Sequence, residues 1–169
     1  LTSVLEAIRS AKLTLKPEKC HFGYEELLFL GHVVSRAGIR PDPGKVEAVA
    51  QYPAPTNKKA VRRFLGLCSY YRRFIENFAH IPAPLTSLTR DDVAFLWADE
   101  QRRAFDELRQ RLQTPPVLGH FDENAATTLH TDASNIGLRA VLLQWQDGAD
   151  KVIPDASRTV SPSEANYSA

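Results

Sequence analysis

Between Thr56 and Arg73 the chain carries Lys58, Lys59, Arg62, Arg63, Arg72 and Arg73 and no acidic residue. Cations so concentrated suit one chemistry above others, the holding of phosphate. The stretch KKAVRRFLGLCSYYRRF reads as an amphipathic helix with Gly66 at its middle, where glycine costs about 1 kcal/mol relative to alanine. At about 100° per residue, Lys58, Lys59, Arg62, Arg63, Gly66, Ser69, Tyr70 and Arg73 share one face. Val61, Phe64, Leu65, Leu67, Cys68, Tyr71, Phe74 and Ile75 fall on the other, and Arg72 is the exception, beside the apolar arc. Gly66 therefore opens no hole in a core. Its bare backbone admits a close approach, and Tyr70, one turn on, can lie flat against a sugar or base. The minor groove of a duplex fits such a surface. A competing reading stays open at this point: Gly66 admits a crossing helix, and the cations are a solvated rim.

Other constellations carry less. Cys20, His21, Cys68 and His80 lack the spacings of a zinc site, and both thiols read as buried. SPSE, from Ser161 to Glu164, is a capping box with Pro162 at the first helical position, so Glu164 reads as a cap rather than a metal ligand.

These residues need elements to place them. LTSVLEAIRSAK has helical spacing. LTLKPEKCHF and ELLFLGHVVSRAGI read as extended segments around a GYE turn, with Gly38 in a further tight turn. Asp42 and Pro43 open a helix that PAPT ends, and a long helix is predicted from about Asn57 to Phe78. HIPAPLTSLTR is a shorter helix. WADEQRRAFDELRQRLQTPP is another, with Asp99 as the expected cap and Phe105, Leu108 and Leu112 as its stripe. After Pro116 the period changes, and TTLHTDAS, GLRAVLLQW and KVIPDASRTV read as strands, the last two a hairpin through DGAD.

Composition sets the bounds. A hydrophobic content of 43% and a charged content of 24% over 169 residues suit a folded chain of one or two small domains. The net charge of +1 excludes a uniformly basic protein, so the 58–73 cluster is local. No apolar run is long enough to span a bilayer. The chain has no methionine and begins at Leu1, and it reads as a piece of a longer frame.

The blocks LKPEKCHFGYEELLFLGHVVSRAGIRPDPGKVEAV, RRFLGLCSYYRRFI, PLTSL, FLWADEQRRAFDELRQRL and LHTDAS occur in this order. Together they resemble the reverse transcriptase of gypsy-type long-terminal-repeat retrotransposons. The resemblance implies an α+β fold: a palm-end β-hairpin, a helical thumb bundle, then the first antiparallel strands of an RNase H-like α/β domain. Residues 1–42 resemble the end of the palm, 43–115 the thumb, and 116–169 the start of RNase H. Phe29, Leu30, Gly31 and His32 match the hairpin that grips a primer terminus. The helix bearing Lys58, Lys59, Arg62, Arg63, Gly66, Tyr70 and Arg73 matches the one that tracks a template–primer duplex, RNA–DNA hybrid or DNA. Asp132 in TDAS matches a catalytic, Mg²⁺-binding aspartate.

The resemblance also says what one chain of this length lacks. Polymerisation from deoxynucleotides needs paired palm aspartates in a Tyr-x-Asp-Asp turn, which is not in this sequence. RNA cleavage needs several carboxylates around metals roughly 4 Å apart, and Asp132 alone transfers. The isolated chain is therefore expected to be inert, the parent a polymerase with RNase H inside a retrotransposon particle, away from membranes. Two departures stand out: Arg139 where the family has glycine, and Asp155, directly after Pro154, where it has tyrosine. A buried, unpartnered Asp155 would be costly, which suggests a decayed copy or one domesticated as a non-catalytic binding remnant.

Overall fold

Leu30 and Gly31 take φ of 47° and 68°, the left-handed pair that closes a tight hairpin whose twist matches its strands. They turn one apolar run back on itself. β1 (Glu26–Phe29) pairs antiparallel with β2 (His32–Ser35), and β2 with β3 (Gly38–Pro41). The structure is a computed structural model, which describes residues 1–134, 137–161 and 163–164. The remaining helices are α1 (Thr2–Ser10), α2 (Pro43–Ala50), α3 (Lys58–Tyr70), α4 (Ala83–Leu88) and α5 (Asp99–Gln113). A second antiparallel sheet runs β4 (Thr127–Ala133), β5 (Gly137–Gln146), β6 (Ala149–Thr159) in that order. The α+β expectation holds. No helix among the described residues is long and apolar enough to cross a membrane.

Local chemistry explains the junctions. Asp42 Oδ1 accepts from the Gly44 amide at 2.9 Å with Pro43 at the first turn, and Asn57 Oδ1 accepts from the Ala60 amide at 2.9 Å. α5 starts at Asp99 rather than being capped by it; Ala98 precedes the helix, and its amide donates to Gln101 Oε1 at 3.2 Å. LTLKPEKCHF is not a strand. It holds a 3-10 turn at Pro17–Lys19, since Pro17 fixes its own φ and offers no donor to a ladder.

The apolar arc of α3 behaves as its spacing requires. Val61, Phe64 and Cys68 are buried against α2, α4 and α5, and the Phe64 and Phe105 rings sit 4.5 Å apart. Burying a side chain such as Phe64 stabilises the fold by about 1.5–3 kcal/mol. The long helix expected to Phe78 stops at Tyr70. Its continuation would drive Arg72 along the apolar arc. The chain instead tightens into a 3-10 turn at Arg72–Phe74 and becomes extended at Ile75, which exposes Arg72 while burying Phe74 and Ile75.

One short segment ties both sheets to the helices. Ile39 and Leu118 exchange backbone hydrogen bonds of 2.8 and 2.9 Å, and the Gly119 amide donates to the Val152 carbonyl at 2.8 Å. His120 Nε2 donates to the Ser35 carbonyl at 2.7 Å. Pro154 lies where β6 carries an extra residue relative to β5, with Val141 opposite Asp155 and Leu143 opposite Val152. A bulge on an outer strand is where proline's missing donor does least harm.

Candidate nucleic-acid interface and the Asp132 cleft

Four cations of the predicted basic face divide into two pairs. Lys58 Nζ donates to the Arg90 carbonyl at 2.5 Å, and Arg62 Nη2 donates to the Thr89 carbonyl at 2.5 Å and to Asp91 at 3.2 Å. These carbonyls lie just past α4, where helix ends leave acceptors unpaired and favour positive charge. Lys58 and Arg62 are thus fold-holding as well as surface cations. Lys59 and Arg63 are exposed and have no hydrogen-bond or ion-pair partner among the described residues. Gly66 lies on the same exposed face, and a Cβ built there meets nothing within 4 Å. Among the described residues no helix crosses at Gly66. The bare backbone patch faces solvent between Arg63 and Tyr70.

The Phe29–His32 turn is clamped onto the end of α3. Tyr70 and Tyr71 hydroxyls donate to the Leu30 and Gly31 carbonyls at 2.5 and 2.8 Å. Arg73 Nη2 meets His32 Nε2 at 3.0 Å, and His32 Nδ1 meets the Leu30 carbonyl at 2.8 Å. A guanidinium only donates and a carbonyl only accepts, so His32 is the neutral tautomer with its proton on Nδ1. Burial lowers the His32 pKa, against the Leu30 hydrogen bond, and the Arg73 charge lowers it further. Phe29 and Leu30 stay exposed, while His32 is buried with its ring near Tyr70, Tyr71 and Phe74. Tyr70 keeps an exposed ring, yet its hydroxyl is anchored, so the ring is a fixed platform rather than a free one.

Asp132 projects from β4, exposed and with no partner among the described residues. It lines an open cleft of about 760 Å³ together with Arg72, Arg139, Ser157 and Arg158. A neighbouring groove of about 300 Å³ runs along Ser69, Tyr70, Arg72 and Arg73. Arg72 lines both, and so joins the α3 end to the Asp132 face. Sequence periodicity left Arg72 off the basic face because it assumed a continuous helix; only the break after Tyr70 frees it. Tyr71 buries its ring in the core as its place on the apolar arc predicts, while its hydroxyl bond to Gly31 has no signal in the spacing.

A magnesium site needs several carboxylates converging on one point. Among the described residues no group of three or more His, Cys, Asp or Glu side chains converges, so Asp132 by itself does not complete one, and Cys20 and Cys68 form no zinc site. Cys68 is buried as expected, whereas Cys20 is only half-buried, its Sγ donating to the Lys16 carbonyl at 3.2 Å. Glu164 is spent on the cap: the Ser161 amide donates to Oε2 at 2.8 Å, the Glu164 amide donates to Ser161 Oγ at 3.3 Å, and Arg158 holds both carboxylate oxygens. The Arg158 bonds, then the Ser161 amide, draw its pKa down to about 2. Pro162 lies outside the described residues.

Asp155 is not an orphan. Arg139 Nε and Nη2 both donate to its Oδ2, at 3.2 and 2.8 Å, and Arg139 Nη1 donates to Glu76 Oε1 at 2.9 Å. The two departures are each other's partner, which removes the physical ground for reading them as decay.

Comparison with known proteins places these features. Residues 97–169 match the RNase H-like domain found in reverse transcriptase, a span that takes in α5 as well as β4–β6. The retrovirus-related Pol polyprotein from transposon 412 of Drosophila melanogaster is 39% identical over 168 residues, covering 99% of this chain and 14% of that protein. The transposon Tf2-3 polyprotein of Schizosaccharomyces pombe is 36% identical over 167 residues, 98% of this chain and 12% of that protein. The chain thus spans under a sixth of the length of these curated relatives. The fold resembles that of the foamy viral protease-reverse transcriptase solved with double-stranded DNA, with a TM-score of 0.77 and 23% identity over 98% of this chain and 29% of that one. The same viral protein solved with an RNA/DNA hybrid gives a TM-score of 0.76 at 22% identity, over 99% of this chain and 23% of that one. The chain is thus similar over nearly its whole length to a segment of retrotransposon Pol polyproteins, and its residues 97–169 match the RNase H-like domain found in reverse transcriptase.

Proposed function

We propose that this chain is the duplex-holding segment of a retrotransposon RNA-directed DNA polymerase with RNase H. Its Phe29–His32 turn meets the primer end, and the α3 face carrying Lys59, Arg63, Gly66 and Tyr70 seats a template–primer duplex. Asp132 contributes one carboxylate to RNase H chemistry in the parent protein. Residues 1–42, 43–115 and 116–169 serve as palm end, thumb and start of RNase H.

The single observation that carries this reading is the open space over Gly66. A glycine that costs a helix stability, and whose added Cβ would meet nothing within 4 Å among the described residues, is explained by an outside body that must come close. Lys59 and Arg63 beside it are free to meet phosphates, and Tyr70 offers an anchored ring. The foamy viral relatives of the fold were solved with DNA or hybrid duplexes, which supports the same partner here. Magnesium would serve the parent's reactions through several carboxylates, to which Asp132 would contribute one, so the chain alone is expected to bind without cutting or copying.

The test is hybrid binding across a salt series. The unaltered chain is expected to bind an RNA–DNA hybrid with affinity that falls as salt rises. Lys59→Ala and Arg63→Ala should each reduce the salt slope by about 1, and Gly66→Val should weaken binding at every salt concentration. Salt-insensitive binding that is equal in all four proteins would overturn the assignment.

A further inference from the structure

Arg139 occupies a singular place. In register it stands between Asp132 on β4 and Ser157 on β6, on the face that lines the cleft. Its guanidinium turns to Asp155 on its own sheet and to Glu76, in the segment just beyond the Arg72–Phe74 turn. Arg139 is 26% exposed and Asp155 9%, so this leg is shielded from water, while Glu76 at 56% closes the bridge from outside. A planar fork with donors along two edges can bind two acids at once; an ammonium on a flexible stem cannot do so with fixed geometry.

Two further contacts fix the same junction. The Ala79 amide donates to Ser157 Oγ at 3.2 Å. A Cβ at Gly137 would come within 3.1 Å of His80 Nε2 and 3.3 Å of Ala79 Cβ, so the 76–80 segment lies directly on the start of β5.

We propose that Arg139, Asp155 and Glu76 form an ionic clasp that fixes the seat of the Asp132-bearing sheet on the segment following α3. Arg139 is then a positioning residue, setting the span between the Gly66–Tyr70 face and Asp132. The in-sheet leg to Asp155 orients the guanidinium. The outer leg to Glu76 ties it to the helices. The consequence for a bound duplex rests on the function proposed above; the clasp itself does not.

The experiment uses the full chain with Cys20→Ser and Cys68→Ala, and nitroxide labels introduced through Thr86→Cys and Asp150→Cys, both exposed sites, one on α4 and one on β6. Pulsed electron paramagnetic resonance without nucleic acid should give one narrow distance distribution. Glu76→Gln should broaden it with little change in melting temperature, and Arg139→Lys should broaden it likewise. Asp155→Asn should lower the melting temperature by leaving a half-buried cation with a weaker partner. Adding Arg139→Gly to Asp155→Asn should restore the melting temperature while the distribution stays broad. A merely stabilising pair would make width and melting temperature move together, and that result would overturn the proposal. So would a distribution as narrow in Glu76→Gln as in the parent. On an RNA–DNA hybrid, hydroxyl-radical protection by Glu76→Gln should lose its sharp edge at the Asp132 end only; an unchanged edge would remove the positioning role. A parent chain with no protected region at all would sink the duplex reading and leave the distance result to decide the clasp.

Discussion

A methyl group added at residue 66 and one added at residue 38 would meet opposite surroundings. At Gly66 it enters open space on an exposed helical turn, so Gly66→Ala should raise stability by about 1 kcal/mol. At Gly38, with φ of 136°, it would sit 2.2 Å from the Leu118 carbonyl oxygen. Gly38→Ala should therefore cost about 3 kcal/mol or more, by strain and by parting the Ile39–Leu118 pair. Urea unfolding of the two variants checks both signs. The cysteines make a similar contrast. Burial pushes the Cys68 thiol up from 9.0 to about 12, so below pH 9 it is a thiol in both folded and unfolded chains. Its contribution to stability is complete there and is lost as pH rises from 9 through about 12. At pH 8, alkylation of the folded chain should label Cys20 quickly and Cys68 only after denaturant is added, which mass spectrometry resolves.

At the scale of elements, the contact that matters is between the β1–β2 turn and the end of α3. Tyr70, Tyr71 and Arg73 hold the turn by its carbonyls and by His32, which is neutral because burial and the nearby Arg73 disfavour its charge. With a folded pKa below the unfolded value of 6.5, His32 adds stability above that pH and loses it as pH falls through the folded value. Acidification below pH 6.5 should loosen the clamp. The urea midpoint should fall over that window in the parent chain and fall less in His32→Phe, which keeps a ring and cannot protonate. Helix ends tell a parallel story. Lys58 and Arg62 serve the carbonyls beyond α4, so replacing them should cost stability as well as affinity, unlike Lys59 and Arg63.

For the whole molecule, a net charge of +1 hides a division of labour among cations. Some close the fold, some clasp the two parts, and Lys59, Arg63 and Arg72 have no partner among the described residues. Long-range attraction of a polyanion draws on such unpaired cations, and it is screened over about 8–10 Å at physiological salt. The bundle core of α2–α5 and the 118–119 link, which bonds to β3 and to β6, tie the helices to both sheets. The helical face of α3, the cap at Asp42, the strand period after Pro116 and the place of Pro154 were all legible in the chain, because each depends on neighbours within one turn or one hairpin. The break after Tyr70, the anchoring of Tyr70 and Tyr71, the release of Arg72 and the marriage of Arg139 to Asp155 and Glu76 were not. They join residues sixteen to sixty-three positions apart, and a periodic reading carries no information about which distant groups will meet. Local propensity decided the elements and their faces. Packing decided which cations are spent on the fold and which remain for a ligand, since a charged side chain near an unpaired carbonyl or carboxylate binds it whenever the fold brings the two within reach.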